Sequence, residues 1–250
     1  MTIRFISKDH ELKIMSAIKF RKIVDLTHLM YRDMVSWPTL PSLMYEHTAI
    51  AAKDLYTMTV ITRMTTHTGT HIDVQAHFIP GGKTIEDYPI ESFMGDGVVL
   101  DLSWKKPGEE ISVEDLKRYE DDIQEGDVVM LCTNWDKKDR YTNEYLFQWP
   151  HLGIDSAKYL VSKRIKAVGI DALSIGGWMD TVPGQGPVAK SSPVEVHRIL
   201  LGADIIIIEE LRGLDEVLHE KKTARAFFVF APLKLSDGEG SPCRAFALIY

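Results

Sequence analysis

From Ile23 onward the apolar positions recur with two alternating periods, one suited to strands and one to helices. TMTVITRMTTH (57–67) and GDGVVLDLS (95–103) read as strands. GDVVMLCT (126–133) reads as a strand buried on both faces, because its apolar run does not alternate. Between them SVEDLKRYE predicts a helix start, with Ser112 as cap and Asp115 closing a capping box. A long polar and aromatic loop, DKKDRYTNEYLFQWPHLG, follows. Asp155 is then placed to cap the helix SAKYLVSKRI, which leads into the strand KAVGIDAL. After the Gly- and Pro-rich loop SIGGWMDTVPGQGP a second helix, PVEVHRILL, is predicted with Ser192 as cap, Pro193 in its first turn and Glu195 closing a box. It feeds ADIIIIEEL, a β-branched run expected to be a central strand ending at Glu209. AFFVFAPLKL and CRAFALIY complete the strands. The strand-helix-strand units of the second half and antiparallel pairing elsewhere predict a layered α/β domain. Residues 1–22 have mixed charge and no clean period, and are expected to be an N-terminal extension to one domain over residues 23–250.

Composition narrows the class. A chain of 250 residues with 45% apolar residues is long enough for one sizeable core. The formal net charge of -7 argues against a general nucleic-acid binder, which carries a Lys/Arg excess. Two isolated cysteines, Cys132 and Cys243, form no CxxC pair and no disulfide framework, and are expected to be reduced core thiols. No apolar run is long enough for a signal peptide or a membrane span, so a cytoplasmic protein with no membrane partner is expected.

Nine histidines are spread over the 250 residues, yet three fall within HTGTHIDVQAH (67–77), with an aspartate among them. In a strand, His71 and Asp73 project from one face while Ile72 and Val74 project from the other. Gly69, between Thr68 and Thr70, supplies a bend that brings His67 to the same point. Gly69 and the two threonines disfavour the alternative, a helix with His67 and His71 one turn apart. Three converging N and O ligands, with His77 nearby, describe an open catalytic metal site rather than a closed structural one. His197 and Glu209 are further candidates, on a capped helix and at the C-terminal end of a buried strand. Asp171 and Asp180 are weighed in the same way, and His10, His28, His47, His151 and His219 have no carboxylate or histidine partner at ligand spacing.

With these residues in place the sequence resembles the cyclase family of metal-dependent hydrolases, which includes bacterial kynurenine formamidases and isatin hydrolases. The family pattern HxGTHxDxPxH stands here as HTGTHIDVQAH, and similar segments run through IVDLTHLMYRDMVSWP, VVMLCTNWD, GIDALSI, VHRILLGADIIIIEEL and GEGSPCRAFAL. The resemblance implies a swivelling β/β/α fold, with a parallel or mixed sheet, an antiparallel layer and outer helices. It also implies a homo-oligomer, a dimer or tetramer, and one or two Zn2+ or Mn2+ ions per chain. Residue by residue it makes His67, His71 and Asp73 ligands of a first metal, has Asp73 shared with a second metal held by His197 and Glu209, and gives His77 the catalytic role. An acidic Glu209 matches the two-metal, formamidase-like members, whereas TNWD (133–136) is closer to the isatin-hydrolase version. Gln75 replaces the motif's proline beside the site, and Glu210 stands where Asn is common.

The activity implied is hydrolysis of an amide-type C–N bond in a small aromatic substrate, N-formylkynurenine first and a cyclic amide or lactone such as isatin second. Trp37 and Trp178, in Pro- and Gly-flanked loops, are candidate walls for the ring. A serine nucleophile lacks its GxSxG, and the cysteines sit in apolar strands where a thiolate is disfavoured. The reading from another class is a non-catalytic metal- or ligand-binding module.

Overall fold

The computed structural model of the chain describes residues 2–3, 18–179, 186–187 and 191–250. Ten strands carry the architecture: β1 (Lys22–Asp25), β2 (Met44–Ala49), β3 (Met58–Arg63), β4 (His71–Asp73), β5 (Met94–Asp101), β6 (Val128–Cys132), β7 (Ala167–Ile170), β8 (Ile206–Glu209), β9 (Thr223–Pro232) and β10 (Gly240–Ile249). Five helices accompany them: α1 (Val113–Lys117), α2 (Asn143–Phe147), α3 (Ile154–Ser162), α4 (Pro193–Gly202) and α5 (Leu214–Leu218). Most of residues 1–22, Asp180 and His10 lie outside the described residues.

The mixed α/β class expected from the sequence is found, with its two halves joined differently. Strands β5, β6, β7 and β8 are parallel neighbours. β8 then pairs antiparallel with β4, β4 with β10, β10 with β9 and β9 with β5. Seven strands thus form one closed ring rather than a parallel sheet stacked on a separate antiparallel layer. The reason is the length of the C-terminal hairpin. β9 and β10 each span ten residues and are hydrogen-bonded along both edges, so they bridge the ends of the parallel half. β1 adds to the far half of β10, while β2 and β3 make a separate hairpin.

The unbroken apolar runs have a physical cause, since both strand faces are buried. Val98, Leu100, Val129, Leu131, Val168 and Ile207 pack outward against Leu116, Leu160, Val196 and Leu200 of α1, α3 and α4. The alternating set Val99, Val128, Met130, Ala167, Ile206 and Ile208 turns inward onto Ile72, Phe228 and Ala247, a core that continues to α5. Cys132 and Cys243 are buried, and burial pushes both thiols up.

Local signals were of uneven value. Ser112 and Asp115 form the expected reciprocal box. Asp155 does not cap α3, because Gly153 is the cap and Asp155 lies in the first turn. Ser192 caps α4 by position without a side-chain bond, and Glu195 pairs with Arg198 at 3.2 Å instead of closing a box.

Phe228 is fully buried inside the ring. Phe228→Ala is expected to destabilise the fold by about 3–5 kcal/mol, read as a lower urea midpoint with an unchanged slope.

Candidate metal centre

Strand register brings the first residues together. β4 lies between β8 and β10, with His71 opposite Glu209, and with Asp73 opposite Ile207 on one side and Gly240 on the other. Ile72 points into the ring, so His71 and Asp73 point outward on the face that Glu209 shares. α4, packed on that face, supplies His197. His67 comes from the turn before β4, where Gly69 adopts φ +65°. His77 ends the short 3-10 turn Gln75–His77 that follows β4.

The distances describe convergence on Asp73. His67 Nδ1 and His71 Nε2 lie 2.9 and 3.6 Å from its Oδ1, and His77 Nε2 and His197 Nε2 lie 4.0 and 3.7 Å from its Oδ2. Glu209 reaches His197 Nε2 at 3.2 Å and His71 Nε2 at 3.5 Å, and its Oε1 accepts Ile175 N–H at 2.7 Å. His71 and His197 each have Nδ1 2.7 Å from a backbone carbonyl, of Gly69 and Pro193, which turns Nε2 inward. Donation of the other ring N–H to a fixed acceptor is how imidazole ligands are oriented.

Both oxygens of Asp73 are buried, and among the described residues neither accepts a well-aligned hydrogen bond, although His67 Nδ1 stands 2.9 Å from Oδ1. A buried carboxylate normally has its acceptors filled by aligned donors, so one that meets four imidazoles without such a bond fits a cation-binding group. Two sets bring ligand atoms within 4.8 Å of one another, His67 with Asp73 and His77, and His71 with Asp73 and Glu209, sharing Asp73.

Charge follows the same geometry. Burial opposes a charge on His67, but Asp73 and Glu239 outweigh it and push its pKa up to about 10. Burial is likewise overcome at His71 and His197, which Glu209 and Asp73 shift upward. His77 alone among the four goes down, through burial and despite Asp73. The imidazoles hold Asp73 well below the usual carboxylate range against the effect of burial, and Glu209 falls to about 2 for the same reason. The His67 contact lowers Glu239 to about 2.

The cluster forms the floor of a cavity of about 600 Å³ walled by Trp37, Leu40, Phe78, Leu173, Met179 and Val194. Trp37 lines this cavity. Trp178 is not among the lining residues. It packs behind Trp37 with ring centroids 5.3 Å apart, against Phe147, and donates its indole N–H to Pro187 O. Gln75 also stays out of the cavity, its amide oxygen accepting Lys83 N–H at 3.2 Å. Asp171 instead accepts from Thr133 and Asn134, away from the cluster, and burial pushes its carboxyl up to about 7.

Two residues were missed. Glu239 lines the cavity and contacts His67 Nε2 at 3.3 Å. Its only signal was its position between two glycines in GEGSPCRAFAL. Arg140, in the long loop, pairs with Glu210 at 2.5 Å. His28, His47, His151 and His219 are not part of the cluster.

Residues 24–176 match the model of the Cyclase family. The chain belongs to the Cyclase family. It is 28% identical to the kynurenine formamidase of Bacillus anthracis over 230 residues, covering 91% of this chain and 98% of that one. It superposes with a TM-score of 0.70 and 31% identity on a structure described as a potential metal-dependent hydrolase with cyclase activity, covering 92% and 98% of the two chains. For isatin hydrolase A from Labrenzia aggregata bound to benzyl benzoate, the TM-score is 0.76 at 27% identity, with 91% and 93% covered.

Glu210 stands directly beside Glu209 in this site. It has φ +51°, is buried, and lines the cavity while paired with Arg140. Burial pushes its carboxyl up against the opposing effect of Arg140.

Because the buried carboxylates favour the protonated forms of His67, His71 and His197, a divalent cation must displace protons to enter. Metal affinity is expected to rise with pH up to the range in which His67 gives up its proton, which its carboxylate neighbours raise to about 10. Calorimetry in buffers of different ionisation enthalpy should show proton release. A pH-independent affinity would contradict this.

Proposed function

We propose that this chain is a metal-dependent hydrolase that cleaves an amide-type C–N bond of a small aromatic substrate, with an N-formyl aryl amine such as N-formylkynurenine as the first candidate. The observation that carries the reading is the buried Asp73 carboxylate, approached by four imidazoles that themselves line the floor of an aromatic-walled cavity. His67, His71, Asp73, His197 and Glu209 are the residues that would hold one or two divalent ions, Zn2+ or Mn2+. A divalent ion supplies a Lewis acid for an acyl oxygen and makes water acidic enough to attack near neutral pH.

The chain's own residues supply the rest. His77 is less buried than the other cluster imidazoles, with 26% of its side chain exposed, and it faces the cavity. It is the one shifted toward the neutral form, so its Nε2 can take a proton from water and return it to the leaving amine. Trp37 and Phe78 offer apolar surface for an aryl ring, and Trp178 keeps Trp37 in place from behind.

A second reading, hydrolysis of a cyclic amide such as isatin, is favoured by the likeness to isatin hydrolase A and by the TNWD segment. Glu209 in contact with His197 and His71 favours the first. We further read residues 23–250 as one domain that works in the cytoplasm as a homodimer or homotetramer. Among the described residues no helix is long and apolar enough to cross a membrane.

His77→Ala is the discriminating variant. A general acid–base role predicts unchanged metal content and a fall in turnover of roughly 10²–10⁴-fold on whichever of N-formylkynurenine and isatin the wild type cleaves. Loss of metal in this variant would make His77 a ligand, as its grouping with His67 and Asp73 allows. Unchanged turnover would remove it from the chemistry.

A further inference from the structure

His71 and His197 direct Nε2 at the buried carboxylates because backbone carbonyls take their Nδ1–H groups. His67 is reversed. Its Nδ1 lies 2.9 Å from Asp73 Oδ1 without making a hydrogen bond to it, and its Nε2 lies 3.3 Å from Glu239 Oε1. That same oxygen accepts Thr66 Oγ1–H at 2.7 Å. His67 sits in a turn, where no carbonyl is offered to its ring, so a side chain has to do what the backbone does for the other two.

The position of Glu239 is itself fixed. Its carbonyl accepts Val74 N–H at 3.0 Å, continuing the β4–β10 ladder by one residue. At the next residue, Gly240, an added Cβ would stand 2.9 Å from His67 Cε1 and 2.8 Å from Ile72 O, so the His67 ring lies directly against this backbone. The ring is held between Gly240, Asp73 and the Glu239 carboxylate.

We propose that Glu239 is the positioning residue of His67: it accepts the Nε2–H, keeps the proton on that atom, and leaves Nδ1 as the atom His67 offers to a divalent cation. This rests on the reading of the cluster as a metal centre. An ionised acceptor orients the ring and makes it a stronger ligand, and removing such a partner typically costs roughly 10–100-fold in metal affinity. The Glu239 side chain bonds His67 and its neighbour Thr66 and makes no ion pair with Asp73 or Glu209, so its effect on the cluster passes through the turn that carries His67.

The test uses full-length wild type, Glu239→Gln and Glu239→Ala. Zinc affinity is measured by competition with a chelator, and the His67 ring N–H is followed by 1H–15N correlation with and without zinc. The expected result is an exchange-protected Nε2–H in wild type that is lost in Glu239→Ala, with zinc bound roughly 10–100-fold more weakly, and an intermediate loss in Glu239→Gln, whose amide oxygen still accepts. The circular dichroism of the variants should match wild type. Should Glu239→Ala fail to fold, Glu239→Gln decides by the same two readouts. A protected Nε2–H and zinc affinity within twofold of wild type in the variants would overturn the proposal. Wild type that binds no zinc or manganese would overturn the metal reading instead, and the Nε2–H signal of the metal-free proteins would still decide whether Glu239 holds His67.

Discussion

A carboxylate buried beneath the cavity and ringed by imidazoles is the constraint around which this molecule is arranged. Asp73 is 1% exposed, and its negative charge must be compensated by something other than water. Four imidazoles approach it, and each is delivered by a different local device: a glycine-dependent turn, a strand position, a short 3-10 turn and a helix. Removing one imidazole leaves the buried carboxylate with less compensation, and removing Asp73 leaves buried imidazoles without their counter-charge, which is why such sets are costly to break.

The closed ring gives that cluster its rigidity. A free sheet edge at β4 would leave three residues to hold register alone, but β4 is hydrogen-bonded on one side to β8 and on the other to β10. A slip of one residue would turn His71 and Asp73 into the apolar interior and Ile72 into the cavity. The inward packing of Ile72 and Val74 therefore fixes which face His71 and Asp73 present. Glu210, in a backbone region that side chains rarely adopt, is tied by Arg140, by its N–H to Ala172 O and by its carbonyl to Thr70 Oγ1, and so holds the chain end that carries Glu209.

Much of this was legible in the sequence because its determinants are local. The alternation of His71 and Asp73 with Ile72 and Val74, the bend at Gly69 and the four-isoleucine strand each declare themselves within a few residues. What was hidden depends on register between distant segments. Glu239 reaches His67 across 172 positions, and nothing in GEGSPCRAFAL alone says which histidine it will meet. Closure of the ring likewise depends on β9 pairing along both edges, which no local period encodes. Trp178 and Gln75 show the converse error: each stands near the site in sequence, yet packing turns Trp178 behind Trp37 and Gln75 toward Lys83.

If the Asp73 cluster holds a divalent cation, that cation should remain with the folded protein. Elemental analysis of dialysed wild type and Asp73→Asn, both confirmed as folded by circular dichroism, tests it most directly. One or two divalent ions retained per wild-type chain, and none in the variant, is the expected result. Wild type that retains none after exposure to zinc or manganese, or a variant that retains as much as wild type, would contradict it.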